Sequence, residues 1–119
     1  MTEQPKPENL SDGVKSEQEA YLRAVEATMS EFFAQQRTLL TAISHDALPL
    51  LEAIESLSSG GKRLRALLSY WGWRGAGGDS ILERSAPTPI IRAGAALELF
   101  QSAALIHDDI IDRSDTRRG

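Results

Sequence analysis

The chain has 119 residues, 41% hydrophobic content, 13 basic against 17 acidic side chains and a formal net charge of −4. This suffices for one domain of modest size, and the acidic balance provides no electrostatic footprint for nucleic acid. Zero cysteines exclude a disulfide scaffold, thiolate metal ligands and a cysteine nucleophile.

Residues 1–15 are polar and partly acidic, resemble neither a signal nor a transit peptide, and read as a flexible tail. Ser16-Glu17-Gln18-Glu19 is a capping-box signature. It predicts a helix through about Ile43 with Tyr21, Val25, Met29, Phe32, Phe33, Leu39 and Leu40 as its apolar set. Asp46 is expected to cap a second helix carrying Leu48, Leu50, Leu51, Ile54 and Leu57, ending before Ser58-Ser59-Gly60-Gly61. A third helix is predicted from about Lys62 to Trp73, stopping at the glycines between Gly75 and Gly78. Thr88-Pro89 then places a hydroxyl at the N-cap and proline at the first position of a long fourth helix. There is no strand pattern, so the predicted fold class is all-α. Arg92, Glu98 and Gln101 interrupt the longest apolar stretch and argue against a membrane span.

The chemistry concentrates on that fourth helix. From Ile90 to Ile111 apolar residues wrap nearly its whole circumference, which predicts a buried central element. At 3.6 residues per turn, Glu98, Gln101, Asp108, Asp109 and Asp112 fall within an arc of about 100°. Acidic triplets at such spacing are commonly a solvated face or partners for basic residues. Beside an apolar core, however, ionised carboxylates need cations, and a metal and basic side chains are the candidates. Oxygen ligands spaced i, i+1, i+4 suit Mg²⁺, which keeps waters and draws its remaining ligands from substrate phosphates.

Basic charge comes from Gly60-Gly61-Lys62-Arg63-Leu64-Arg65. The glycines permit a tight turn, and Lys62 and Arg65, at i and i+3 of a helix start, would point the same way and grip a diphosphate. Alone, this run is equally a glycine cap followed by solvated cations, and it lacks the spacing of a Walker A loop. His107 lies across the helix wheel from the carboxylates and reads as a packed or interface histidine.

Taken together, the sequence resembles the trans-isoprenyl diphosphate synthases, or polyprenyl synthetases. The resemblance rests on the glycine-rich basic run at 60–65, the Glu98/Gln101 pair, the Asp108-Asp109-x-x-Asp112 motif and Thr116-Arg117-Arg118-Gly119, in the family's order and spacing across residues 16–119. Ala66 stands where the family usually has proline. The resemblance implies an all-helical barrel with two aspartate-rich motifs on facing helices. Only the first occurs here, so the chain reads as the N-terminal part of that isoprenoid synthase barrel, expected to expose apolar surfaces and to be inactive alone.

By the same resemblance, Lys62, Arg65 and Gln101 bind the diphosphate of isopentenyl diphosphate. Asp108, Asp109 and Asp112 hold Mg²⁺ against the allylic diphosphate, Arg117 contacts that allylic group, and Arg118 contacts isopentenyl diphosphate. The catalytic set is then Asp108, Asp109, Asp112 and Arg117, and a cytoplasmic homodimer is implied. Ala103 and Ala104, five and four places before the first aspartate, correspond to the floor of the chain-elongation pocket. Their small size implies products longer than about fifteen carbons, with Phe100 as a deeper floor. Three other classes stay open, one of them a purely structural helical module, which would not require charges from two separate segments to converge on one polyanion. A class I terpene cyclase shares the aspartate motif but has no need of the basic run, and a non-catalytic subunit of a heteromeric synthase usually has eroded aspartates, which are intact here.

Overall fold

The computed structural model describes the backbone of residues 7–83 and 87–118, and side chains within 11–83 and 87–112. Four helices follow in order: α1 (Pro7–Ile43), α2 (Leu48–Ser58), α3 (Leu64–Gly75) and α4 (Thr88–Arg118), with a 3-10 turn at His45–Ala47 before α2. No strand occurs among the described residues, and the fold is all-α as expected.

α1 buries Tyr21, Val25, Met29 and Phe33, one side chain per turn, against the other helices. Phe32 and Leu39, also expected inside, are exposed because they lie off that stripe. The helix begins at Pro7 rather than Ser16, so the capping box lies within it and residues 7–15, expected as a tail, are helical. Proline is tolerated in the first turn, where its missing N–H has no intrahelical acceptor to lose. At the other end Asp46 does not cap α2: it lies in the 3-10 turn that Ser44 caps, and α2 begins after Ala47 with no side-chain cap. Ser44 Oγ accepts from the Asp46 N–H at 3.3 Å, and Pro49 occupies the first turn of α2.

The turn between α2 and α3 departs from its expected form in a way that shapes the site. Gly60 and Gly61 have φ of 138° and 82°, and Arg63 follows with φ 55°, left-handed for a side-chain-bearing residue. α3 therefore starts at Leu64, and Lys62 sits in the turn instead of one helical turn before Arg65.

α4 is central in that α1, α2 and α3 all pack on it. Only one of its faces is covered. Ile90, Ala95, Glu98 and Ser102 are buried, whereas Leu97, Phe100, Leu105, Ile110 and Ile111 are exposed, Phe100 by 73%. The all-round apolar pattern thus marks two burial surfaces, of which this chain fills one. The molecule is correspondingly open: its radius of gyration is 18.7 Å, against about 13.5 Å for a compact domain of this length.

Two ties fix α4 on its neighbours. The Tyr21 ring stacks on Tyr70 at 4.4 Å between centroids, and its hydroxyl donates to the Ile90 carbonyl at 2.9 Å. Burial, with the charges of Tyr70 and Glu98, pushes the Tyr21 hydroxyl pKa up to about 12. Gly94 makes this approach possible, because an added Cβ would run into the Tyr21 hydroxyl. Further along, Ser58 Oγ donates to Ser102 Oγ at 2.8 Å, which in turn donates to the Glu98 carbonyl at 3.1 Å, joining α2 to α4. Away from α4, Glu17 accepts hydrogen bonds from Tyr70, Arg74 and Ser80, and locks α1 to the end of α3.

Candidate functional site

A cavity of about 430 Å³ opens where the α2–α3 turn meets α4. Lys62 comes from the turn, Arg65 from the first turn of α3 and Gln101 from the middle of α4, and all three line it. The structure therefore brings together the three residues assigned to one diphosphate, although by a turn rather than by helical i, i+3 spacing. The α3 N-terminus, with its partial positive charge, lies at the same cavity through Leu64 and Arg65. Two cationic side chains, an amide and a helix start can receive a phosphate-bearing group with charge-assisted hydrogen bonds.

Glu98 also lines this cavity but is engaged on its inner side. Its Oε1 accepts from the Ala66 N–H at 3.1 Å, filling one of the free donors of the first turn of α3, and its Oε2 lies 3.6 Å from Arg63 Nη1. Arg63 is 7% exposed, and its Nε donates to Glu26 Oε1 at 2.6 Å. The sequence assigned no role to Arg63 within the basic run, and its cluster with Glu26 and Glu98 was not foreseen. Glu26 is 37 positions away along the chain, so no local pattern could reveal it. Glu98 and Gln101 share the arc of the helix wheel expected of them and both line the cavity, but the Glu98 carboxylate is committed to protein groups.

Asp108, Asp109 and Asp112 lie further along α4 and are exposed, so the expected penalty of burying them beside the core does not arise here. Among the described residues no group of three acidic, histidine or cysteine side chains converges as a ready metal cluster. Adjacent residues on one helix diverge by about 100°, so Asp108 and Asp109 alone cannot close round an ion. Their oxygen donors nevertheless fit Mg²⁺, which needs only one or two carboxylates when phosphates and water complete the shell. Arg117 and Arg118 lie on the last turn of α4, with side chains outside the described residues. His107 is exposed, not packed, within this chain.

The scaffold is all-helical and open, with a basic cavity at the α2–α3 turn and a row of carboxylates further along α4. The sequence pattern of the polyprenyl synthetase family matches residues 49–119, and the chain belongs to that family. It is 36% identical over 100 residues to heptaprenyl diphosphate synthase component 2 of Geobacillus stearothermophilus, a match covering 82% of this chain and 29% of that protein. Identity to the geranylgeranyl diphosphate synthase of Sulfolobus acidocaldarius is 42% over 78 residues, or 65% of this chain and 22% of the relative. A dimethylallyltranstransferase of Fischerella ambigua matches over 93% of this chain and 33% of its own length at 28% identity. The chain thus spans about a third or less of these relatives. No solved structure matches it significantly.

Proposed function

We propose that the complete protein is a trans-prenyltransferase that joins isopentenyl diphosphate to an allylic diphosphate, giving a longer polyprenyl diphosphate. The observation that carries this reading is the convergence of Lys62, Arg65 and Gln101, from three elements, on one cavity. A terpene cyclase, which takes a single diphosphate substrate, would have no use for this second phosphate grip.

In this reading Lys62, Arg65 and Gln101 hold the diphosphate of isopentenyl diphosphate and so orient its double bond. Asp108, Asp109 and Asp112 hold Mg²⁺, while Arg117 contacts the allylic diphosphate and Arg118 that of isopentenyl diphosphate. Bound Mg²⁺ supplies charge stabilisation to the departing diphosphate. The allylic C–O bond breaks, the double bond of isopentenyl diphosphate attacks the allylic carbon, and the adduct loses a proton to the departing diphosphate. No side-chain nucleophile is required. The apolar face bearing Leu97, Phe100 and Ala103 would exclude water from the carbocation once another wall covers it.

Three further features belong to this reading. α4 serves as a barrel wall rather than a membrane span: Thr88–Asp112 is long and apolar enough to cross a bilayer, but within it Glu98 and Ser102 are committed to other helices. The protein acts as a homodimer, and it works in the cytoplasm.

Incubating the complete enzyme with labelled isopentenyl diphosphate, an allylic primer and Mg²⁺ tests the proposal. Elongated prenyl diphosphate is expected. Hydrocarbon formed from the allylic substrate alone would instead identify a class I cyclase, and product formed only after adding a second polypeptide would identify a subunit of a heteromeric synthase.

A further inference from the structure

Arg63 is a buried cation with no direct place in the transfer reaction, yet it stands immediately behind the cavity. The residue is 7% exposed, and its guanidinium lies between two carboxylates from different helices, Glu26 of α1 at 2.6 Å and Glu98 of α4 at 3.6 Å. Its backbone is left-handed, with φ 55°, a conformation unfavourable for a side-chain-bearing residue that persists only where surrounding contacts impose it. On either side of it in sequence come Lys62 and, after Leu64, Arg65.

Electrostatics sharpen the point. Glu98 lines the same cavity as Lys62 and Arg65, so an uncompensated Glu98 carboxylate would repel any diphosphate placed there. Glu98 cannot simply be dispensed with, because its other oxygen caps the Ala66 N–H. Arg63 is the cation adjoining it on the protein side.

We propose that Arg63 is a positioning residue of the diphosphate pocket: clamped between Glu26 and Glu98, it fixes the left-handed turn that presents Lys62 and Arg65 to one cavity and neutralises Glu98 toward the incoming diphosphate. This rests on the reading of that cavity as the isopentenyl diphosphate site.

The test is steady-state kinetics of the complete enzyme with isopentenyl diphosphate varied, together with thermal melting of each variant. Arg63→Met should raise KM for isopentenyl diphosphate about tenfold or more while kcat changes less than about threefold. Combining Glu98→Gln with Arg63→Met should recover about threefold or more of the rise in KM, because the repelling charge is gone while the turn stays unclamped. A merely structural role predicts no such rescue. Arg63→Lys, which keeps the charge, should fall between wild type and Arg63→Met.

An unchanged KM in Arg63→Met, or a double variant as impaired as Arg63→Met, overturns the proposal. Should Arg63→Met fail to fold, Glu26→Ala at a half-exposed position carries the test: KM must rise about threefold or more, and no rise overturns the proposal. Lys62→Ala separates the two levels. If it leaves KM unchanged the cavity itself is misassigned, and if it raises KM while Arg63→Met does not, only the role of Arg63 fails.

Discussion

The middle of α4 and its C-terminal stretch carry the same kind of residue in different settings. Around Glu98 and Gln101 the helix is packed against α1, α2 and α3, and its carboxylate is hydrogen-bonded to the start of α3 and lies near Arg63. From Asp108 to Asp112 the carboxylates are exposed, beside Ile110 and Ile111 that are also exposed. The first region is a grip already assembled by contacts within this chain. The second is half of a site, in which the donors are aligned on a helix and the opposing surface must come from elsewhere. In the proposed reaction, binding falls to the folded turn and the chemical step to the exposed face.

The largest effect should come from breaking the exposed half. Asp108→Ala or Asp112→Ala in the complete enzyme should lower kcat by about a hundredfold or more, since each serves charge that develops in the transition state. KM for isopentenyl diphosphate should hardly move. Next, Lys62→Ala or Arg65→Ala should mainly raise KM for isopentenyl diphosphate, by about ten- to over a hundredfold, for the loss of a charge-assisted contact of about 1.5–3 kcal/mol. Varying each substrate separately distinguishes the two patterns, and identical behaviour of both sets would erase the distinction between the regions.

Smaller effects sharpen the account of the packed region. Gly94→Ala must displace Tyr21, whose ring is fully buried and whose hydroxyl is bonded to α4. Overpacking of about 1–3 kcal/mol should outweigh the gain of up to about 1 kcal/mol in helix propensity, giving a net loss of stability in urea unfolding. The network at Glu17 makes stability depend on pH. Burial alone would raise its carboxyl pKa, but hydrogen bonds from Tyr70, Ser80 and Arg74, with the Arg74 charge, hold it below the ordinary 4.5. A depressed folded value stabilises the protein above the unfolded one, so this contribution is present at neutral pH and is lost as pH falls below 4.5 through the folded value. Urea midpoints measured down that range should drop, and Glu17→Gln should flatten the dependence. The subtlest change is in product length. Ala103 is exposed on the uncovered face of α4, and Ala103→Phe should shorten the prenyl product by about one isoprenoid unit or more, read by chromatography after dephosphorylation.

Much of this was legible in the sequence, for identifiable reasons. The α1 stripe at Tyr21, Val25, Met29 and Phe33 follows from helical periodicity, and the Gly60-Gly61 turn follows from the only residue type at ease with positive φ. The meeting of Lys62, Arg65 and Gln101 was expected as well, through the family resemblance. What could not be read was the left-handed Arg63, because nothing in an arginine announces that conformation, and the tertiary contacts that impose it come from α1 and α4. The late start of α3 follows from the same turn. Nor does an apolar circumference say which face will be covered, so α4 was expected to be buried where Phe100 is in fact exposed. Nor could composition show that a 3-10 turn capped by Ser44 would take up Asp46 and leave α2 without a side-chain cap.

The central claim is that the turn and α4 hold isopentenyl diphosphate without help from the aspartate face. Calorimetric titration of the complete enzyme with isopentenyl diphosphate, in chelator and without Mg²⁺, tests it most directly. Wild type and Asp108→Ala should bind within about threefold of each other, while Lys62→Ala should bind about tenfold more weakly or worse. Binding that disappears with Mg²⁺ or with Asp108, yet survives Lys62→Ala, would contradict the account.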